Sequence, residues 1–102
     1  MRLQILHVQD CPGAEALNSR LAPLLAIRPD IHVTRQVVMT EDDARRLGMT
    51  GSPTMIANGR DLFACPDRQP SLSCRLYPDE RGHLRPAPTT TQLREALRPG
   101  TP

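Results

Sequence analysis

The order of segments predicts an α/β fold: a sandwich on a mixed four-stranded sheet, in the order β-α-β-α-β-β-α, with helices flanking the sheet. Three observations carry this. Two short apolar runs are each followed by a helical segment, an Asn-Gly turn separates two further strand-like runs, and a last helical pattern lies near the C-terminus. Two βα units followed by an antiparallel pair make a mixed sheet. With 102 residues, the chain has room for one domain and a modest core. No repeat or internal boundary divides it, so residues 1–102 are read as one domain, with a core over 2–77 and a C-terminal helix over about 89–98.

Leu3 to Val8 is a short apolar run of strand length. After Asp10-Cys11-Pro12-Gly13, Ala14 to Ile27 sets Leu17, Leu21, Leu24 and Leu25 on one helical face. Pro12 suits a first helical turn, which puts Cys11 at or just before the helix N-terminus. Pro23 is expected to kink or end this helix. Ile31 to Val38 reads as a second strand. Thr40 caps a short helix through Leu47, with Asp43 completing a weaker capping box, and Gly48 stops it. Thr54–Ala57 and Arg60–Phe63, separated by Asn58-Gly59, form a hairpin. Ala64 to Pro70 is loop, Ser71 to Tyr77 is compatible with a strand or a helical turn, and Pro78 to Pro88 is turn-like. Thr89 to Leu97 closes the chain as a helix with Leu93, Ala96 and Leu97 inward.

Composition removes several functions. Phe63 and Tyr77 are the only rings, so no stacking platform for single-stranded nucleic acid exists. The net charge of +2 is too low for bulk electrostatic binding of nucleic acid. All thirteen basic residues are Arg, which excludes Schiff-base and lysine-base chemistry. No apolar run approaches a membrane span. Three cysteines, Cys11, Cys65 and Cys74, are an odd set, and no secretory leader pattern precedes them. A reducing cytoplasm is the expected compartment.

Among these residues Cys11 is the first candidate for chemistry. Unpaired backbone N–H groups and the helix dipole favour a thiolate at a helix start, the form that attacks. The plainer reading makes Cys11 a small residue at a turn. Asp10 opposes ionisation of the thiol if close, or caps the helix instead. His7 reads as a sheet histidine near enough to tune the thiol. Glu41, Asp42 and Asp43 complement a helix dipole without forming a catalytic carboxylate pair. The cysteine and histidine spacings match no zinc knuckle, so no metal or cofactor is expected.

Cys11-Pro12 at a strand-to-helix turn, together with Ala44-Arg45-Arg46-Leu47-Gly48-Met49-Thr50-Gly51-Ser52-Pro53-Thr54 before the Asn58-Gly59 hairpin, resembles the thioredoxin superfamily over roughly residues 3–63. The segment Pro70-Ser71-Leu72-Ser73-Cys74-Arg75-Leu76-Tyr77 is similar to small actinobacterial thioredoxin-like proteins, some of which carry an alkylmercury lyase label that nothing else in the chain supports. The resemblance implies a thioredoxin-like sandwich, a cis Pro53 with the Ser52 backbone beside Cys11, and a substrate-contacting set of Pro12, Ser52, Pro53 and Thr54. The family's Cys-x-x-Cys window reads Cys11-Pro12-Gly13-Ala14 here, so a disulfide cycle within that motif is excluded.

The implied activity is thiol–disulfide exchange or mixed-disulfide formation through Cys11 with a protein or low-molecular-weight thiol or disulfide. The hairpin's second strand returns to the sheet end that holds Cys11, so the loop carrying Cys65 and Cys74 starts there. Either could resolve a Cys11 adduct; the family-like tail favours Cys74, and both could equally be bystanders or bridge each other. Two other readings stay open. One is a non-catalytic module that holds an extended peptide beside Pro53. The other is a protein that handles soft metals or organomercurials through converging thiols. Partners expected on these readings include no nucleic acid and no membrane, and a small core makes pairing into a homodimer an option.

Overall fold

In the computed structural model, residues 1–99 are described; residues 100–102 of the expected single domain lie outside them. Strand β1 (Arg2–His7) leads into helix α1 (Pro12–Ala26), strand β2 (His32–Val37) into helix α2 (Glu41–Leu47). Strands β3 (Thr50–Ser52), β4 (Thr54–Ala57) and β5 (Arg60–Asp61) follow, then β6 (Ser71–Cys74), β7 (Tyr77–Pro78), β8 (Leu84–Arg85) and helix α3 (Thr90–Ala96). The result is a small α/β protein with three helices and a mixed four-stranded sheet in the order β2-β1-β4-β5. β1 pairs parallel with β2 and antiparallel with β4, and β4 pairs antiparallel with β5.

Alternation along β1 divides the core in two. Leu3 and Ile5 face α1 and α3, where they join Leu17, Leu21, Met55, Leu93 and Leu97 in the main cluster. Leu6 turns to the opposite side and packs with Val38, Ala44 and Met49 under α2. α2 is held at both ends. The Thr40 hydroxyl accepts the Asp43 N–H, and Gly48 closes the helix at φ 87, a conformation that favours glycine. Only half of the expected capping box forms at Thr40, because the Asp43 carboxylate turns to Arg46. The complete reciprocal box is at α3, between Thr89 and Gln92.

Pro23 does not end α1, which runs on to Ala26. Pro23 and Ser19, whose carbonyl loses its partner, are both exposed. Water therefore satisfies what the proline removes. The hairpin's second strand stops at Asp61, short of the expected Phe63. The Asp61 carboxylate takes the Phe63 N–H at 2.9 Å and turns the chain out of the ladder. Ser71–Cys74 is a strand, parallel to β3 with Thr50 opposite Ser71 and Ser52 opposite Cys74. One extra residue on β6 between those pairs makes a bulge. The turn-like stretch after Tyr77 is a small hairpin, with Tyr77 opposite Arg85 and Pro78 opposite Leu84.

Candidate functional site

The site lies where three chain segments meet at the C-terminal end of β1. The chain leaves β1 through Val8 and Gln9, passes Asp10 at φ 56, and enters α1 with Cys11 as the N-cap residue. Pro12 occupies the first turn, exposed, and has no N–H to satisfy. Asp10 does not cap the helix: it lies one residue too early, and no side chain caps α1. Gly13 permits the approach of this turn to the second segment. A Cβ there would sit 2.6 Å from the Pro86 carbonyl oxygen and 2.9 Å from Cδ of Pro53.

The second segment is Gly51-Ser52-Pro53-Thr54, with a cis Ser52–Pro53 peptide. The Ser52 hydroxyl accepts the Val8 N–H at 2.9 Å and donates to Cys11 Sγ at 3.0 Å. Since the Val8 N–H occupies a lone pair of Ser52 Oγ, its hydroxyl proton is free to point at the sulfur. Cys11 is 5% exposed and Ser52 1%, so this contact is shielded from water. The contact differs from the expected one, in which the Ser52 backbone faces the sulfur. That backbone is engaged elsewhere, its carbonyl accepting the Arg75 N–H at 3.0 Å.

Pro53 and Thr54 are buried. The Thr54 hydroxyl donates to the Gly51 carbonyl at 2.6 Å and accepts the Thr50 N–H at 3.1 Å. Both capacities of Thr54 close the turn around Pro53, which gives it a supporting place instead of a surface one. The third segment, residues 71–77, lies alongside. Tyr77 donates its hydroxyl to the Pro53 carbonyl. Burial pushes its phenol well above the usual range, with Arg75 opposing the shift.

Arg75 is the residue that sequence reasoning missed. It is 2% exposed. Its guanidinium meets Asp61 at 2.8 Å and Thr50 Oγ1 at 3.1 Å, donates to the Phe63 carbonyl, and lies 4.7 Å from the Tyr77 ring centroid. Phe63 meets the same ring edge-on at 5.6 Å. Gly51, at φ 109, makes room, since a Cβ would come 2.7 Å from Cβ of Arg75. The spacing of Arg75 and Tyr77, two apart, was the available signal that both point the same way.

The three cysteines are free thiols, Cys11 buried and Cys65 and Cys74 exposed. Cys74 sits directly opposite Ser52 across the β3–β6 pair, whereas Cys65 lies in the loop after Phe63. His7 Nδ1 donates to the Val8 carbonyl at 2.8 Å, since a carbonyl can only accept, and no hydrogen bond joins His7 to Cys11. His32 and His83 are exposed. Among the described residues no group of three or more His, Cys, Asp or Glu could hold a metal ion, and no helix is long and apolar enough to cross a membrane. No protein-family model, curated protein or solved structure matches the chain.

Proposed function

We propose that this protein is a thioredoxin-like thiol protein that forms mixed disulfides through Cys11 and resolves them with Cys74. The observation that carries the reading is the 3.0 Å bond from the Ser52 hydroxyl to Cys11 Sγ, at a helix N-cap whose first N–H groups have no side-chain partner. The hydroxyl holds the sulfur at the helix start, where backbone N–H groups and the Ser52 proton can bond to an attacking or departing sulfur. The strand order β2-β1-β4-β5 with one parallel and two antiparallel pairs supports the thioredoxin-like part of the proposal.

In the first step the Cys11 thiolate attacks one sulfur of a disulfide RSSR′. A Cys11–SR bond forms, the S–S bond breaks, and R′S⁻ leaves to take a proton from water. In the second step the Cys74 thiolate attacks the Cys11 sulfur and displaces RS⁻. One disulfide is thereby reduced to two thiols while Cys11 and Cys74 are oxidised to a disulfide. Two equivalents of an external low-molecular-weight thiol, leaving as their own disulfide, return the protein to its dithiol form.

Cys74 is favoured over Cys65 by its position opposite Ser52. The peptide-holding reading loses ground for a related reason. An extended peptide would need the Ser52 carbonyl free for backbone pairing, and the chain's own Arg75 N–H occupies it. Segment 71–75 stands where such a peptide would lie, with its own cysteine opposite Ser52. Soft-metal handling by two or three converging thiols would have to use a pair, because among the described residues no group of three or more His, Cys, Asp or Glu could hold a metal ion.

The test is to expose the reduced protein to hydroxyethyl disulfide and locate adducts by peptide mass mapping over time. The expected sequence is a Cys11 adduct followed by a Cys11–Cys74 disulfide, with the adduct accumulating in Cys74→Ser. Modification confined to Cys65 and Cys74, with Cys11 untouched in the folded protein, overturns the reading.

A further inference from the structure

Beyond the Cys11 site, on the far side of Tyr77, a cavity of about 530 Å³ opens between the loop after Phe63, the Arg75–Pro78 segment and the start of α3. This is within the size range of small-molecule sites. Its wall has two kinds of group. Phe63, Leu76 and Leu84 supply apolar surface. Leu76 and Leu84 are 43% and 62% exposed, large side chains left facing water without a partner. Arg68 and Arg75 supply charge.

The two arginines differ. Arg75 is neutralised by Asp61, but its Nε is a buried donor with no acceptor, which is costly to leave unmade. Arg68 has no acidic partner within 4.0 Å among the described residues; it donates only to the Leu76 carbonyl at 3.2 Å. Arg75 Nε is sealed inside the protein, so the wall presents one uncompensated cation, Arg68, beside exposed aliphatic surface. The complementary ligand has an anionic acceptor group at one end and an aliphatic chain at the other.

We propose that this cavity is a binding site for a small aliphatic monocarboxylate, with the carboxylate on Arg68 and the chain against Leu76 and Leu84. Guanidinium and carboxylate are matched in geometry as well as charge. Cys65, in the same wall, is covered when the site is filled and serves as a reporter thiol. The proposal does not rest on any reaction at Cys11, and Cys11→Ser is expected to bind equally well.

The experiment uses sodium octanoate with the full chain, measured by titration calorimetry and by the rate at which iodoacetamide alkylates Cys65. Octanoate is expected to bind and to slow Cys65 alkylation about fivefold at saturation, while octylamine and acetate, which lack the matching charge or the chain, do neither. Arg68→Gln is exposed enough to leave the fold intact and is expected to weaken octanoate about tenfold, the effect of losing one charge-assisted contact. Leu84→Ser is expected to weaken it several-fold through lost apolar contact. Absence of octanoate binding overturns the proposal. So does binding that Arg68→Gln leaves unchanged, or that octylamine reproduces.

Discussion

Arg75 and Asp61 form an ion pair at 2.8 Å in which the arginine is 2% and the aspartate 17% exposed. The pair joins two segments that share no other ladder, the end of the β4–β5 hairpin and the chain after β6. Removing one partner of a buried pair leaves an uncompensated charge, which costs about 3 to 5 kcal/mol. Because Asp61 keeps some access to water, Arg75→Leu is expected at the lower end, about 3 kcal/mol in urea denaturation. The double variant Arg75→Leu with Asp61→Leu is expected to recover more than half of that. Single and double variants equally destabilised would mean that Arg75 acts through its contacts to Thr50 and Phe63 instead.

Ser52 links backbone to sulfur, so Ser52→Ala breaks two bonds at once. The Val8 N–H loses its acceptor, a loss of about 1 to 3 kcal/mol for a half-buried donor. Cys11 loses the one side-chain donor aimed at it, and its alkylation in the folded protein is expected to slow about tenfold. A useful comparison is Val8, which is only half-buried: if local opening alone governed access to Cys11, destabilisation would speed the reaction. Faster alkylation of Ser52→Ala would therefore refute a role for the hydroxyl in the reactivity of Cys11.

Much of this arrangement is legible in the sequence because it is local. The Cys11-Pro12 turn, the Gly48 stop and the Asn58-Gly59 hairpin each announce themselves within a few residues, and the last two appear at φ 87 and at φ 52 and 81. The parallel pairing of β6 with β3 does not. It joins residues about twenty apart, in a three-residue strand and a bulged four-residue one, too short for either period to register. The burial of Arg75 was hidden for a similar reason. An arginine reads as surface until its partners are known, and Asp61, Thr50 and the Phe63 carbonyl all come from earlier in the chain. Of the two forms open for Ser71–Tyr77, the strand is the one formed, over Ser71–Cys74 and again from Tyr77, with a break where Arg75 turns inward between β6 and β7.

Gly13→Ala sets two effects of opposite sign against each other. Alanine is the better helix former by about 1 kcal/mol. Its Cβ, however, would lie 2.6 Å from a backbone oxygen of Pro86 and 2.9 Å from the Pro53 ring, and neither is the end of a flexible side chain. Forcing a methyl group into such a contact costs about 1 to 3 kcal/mol. The clash is expected to win, with a net loss of about 1 kcal/mol or more and faster exchange of the N–H groups of residues 13–15. A Gly13→Ala protein more stable than its parent would show that the α1 start and the Pro53 turn are free to separate.

Tyr77 is the only tyrosine in the chain, so phenolate absorbance near 295 nm reports it alone. Burial raises its ionisation above the ordinary value near 10. A folded-state value above the unfolded one means that folding favours the neutral phenol. The contribution is fully present below pH about 10 and is lost as pH rises through the folded value. In the folded protein the phenolate signal is therefore expected to be absent at pH 10.5, where a solvent-exposed tyrosine would be mostly ionised, and to appear together with the loss of far-ultraviolet circular dichroism. Tyr77→Phe removes the titration and with it the hydrogen bond to the Pro53 carbonyl. That variant is expected to be about 1 kcal/mol less stable at neutral pH, with the gap to the parent closing as pH approaches the transition. Tyr77 titrating near 10 with the fold intact would contradict its burial against Arg75 and Pro53.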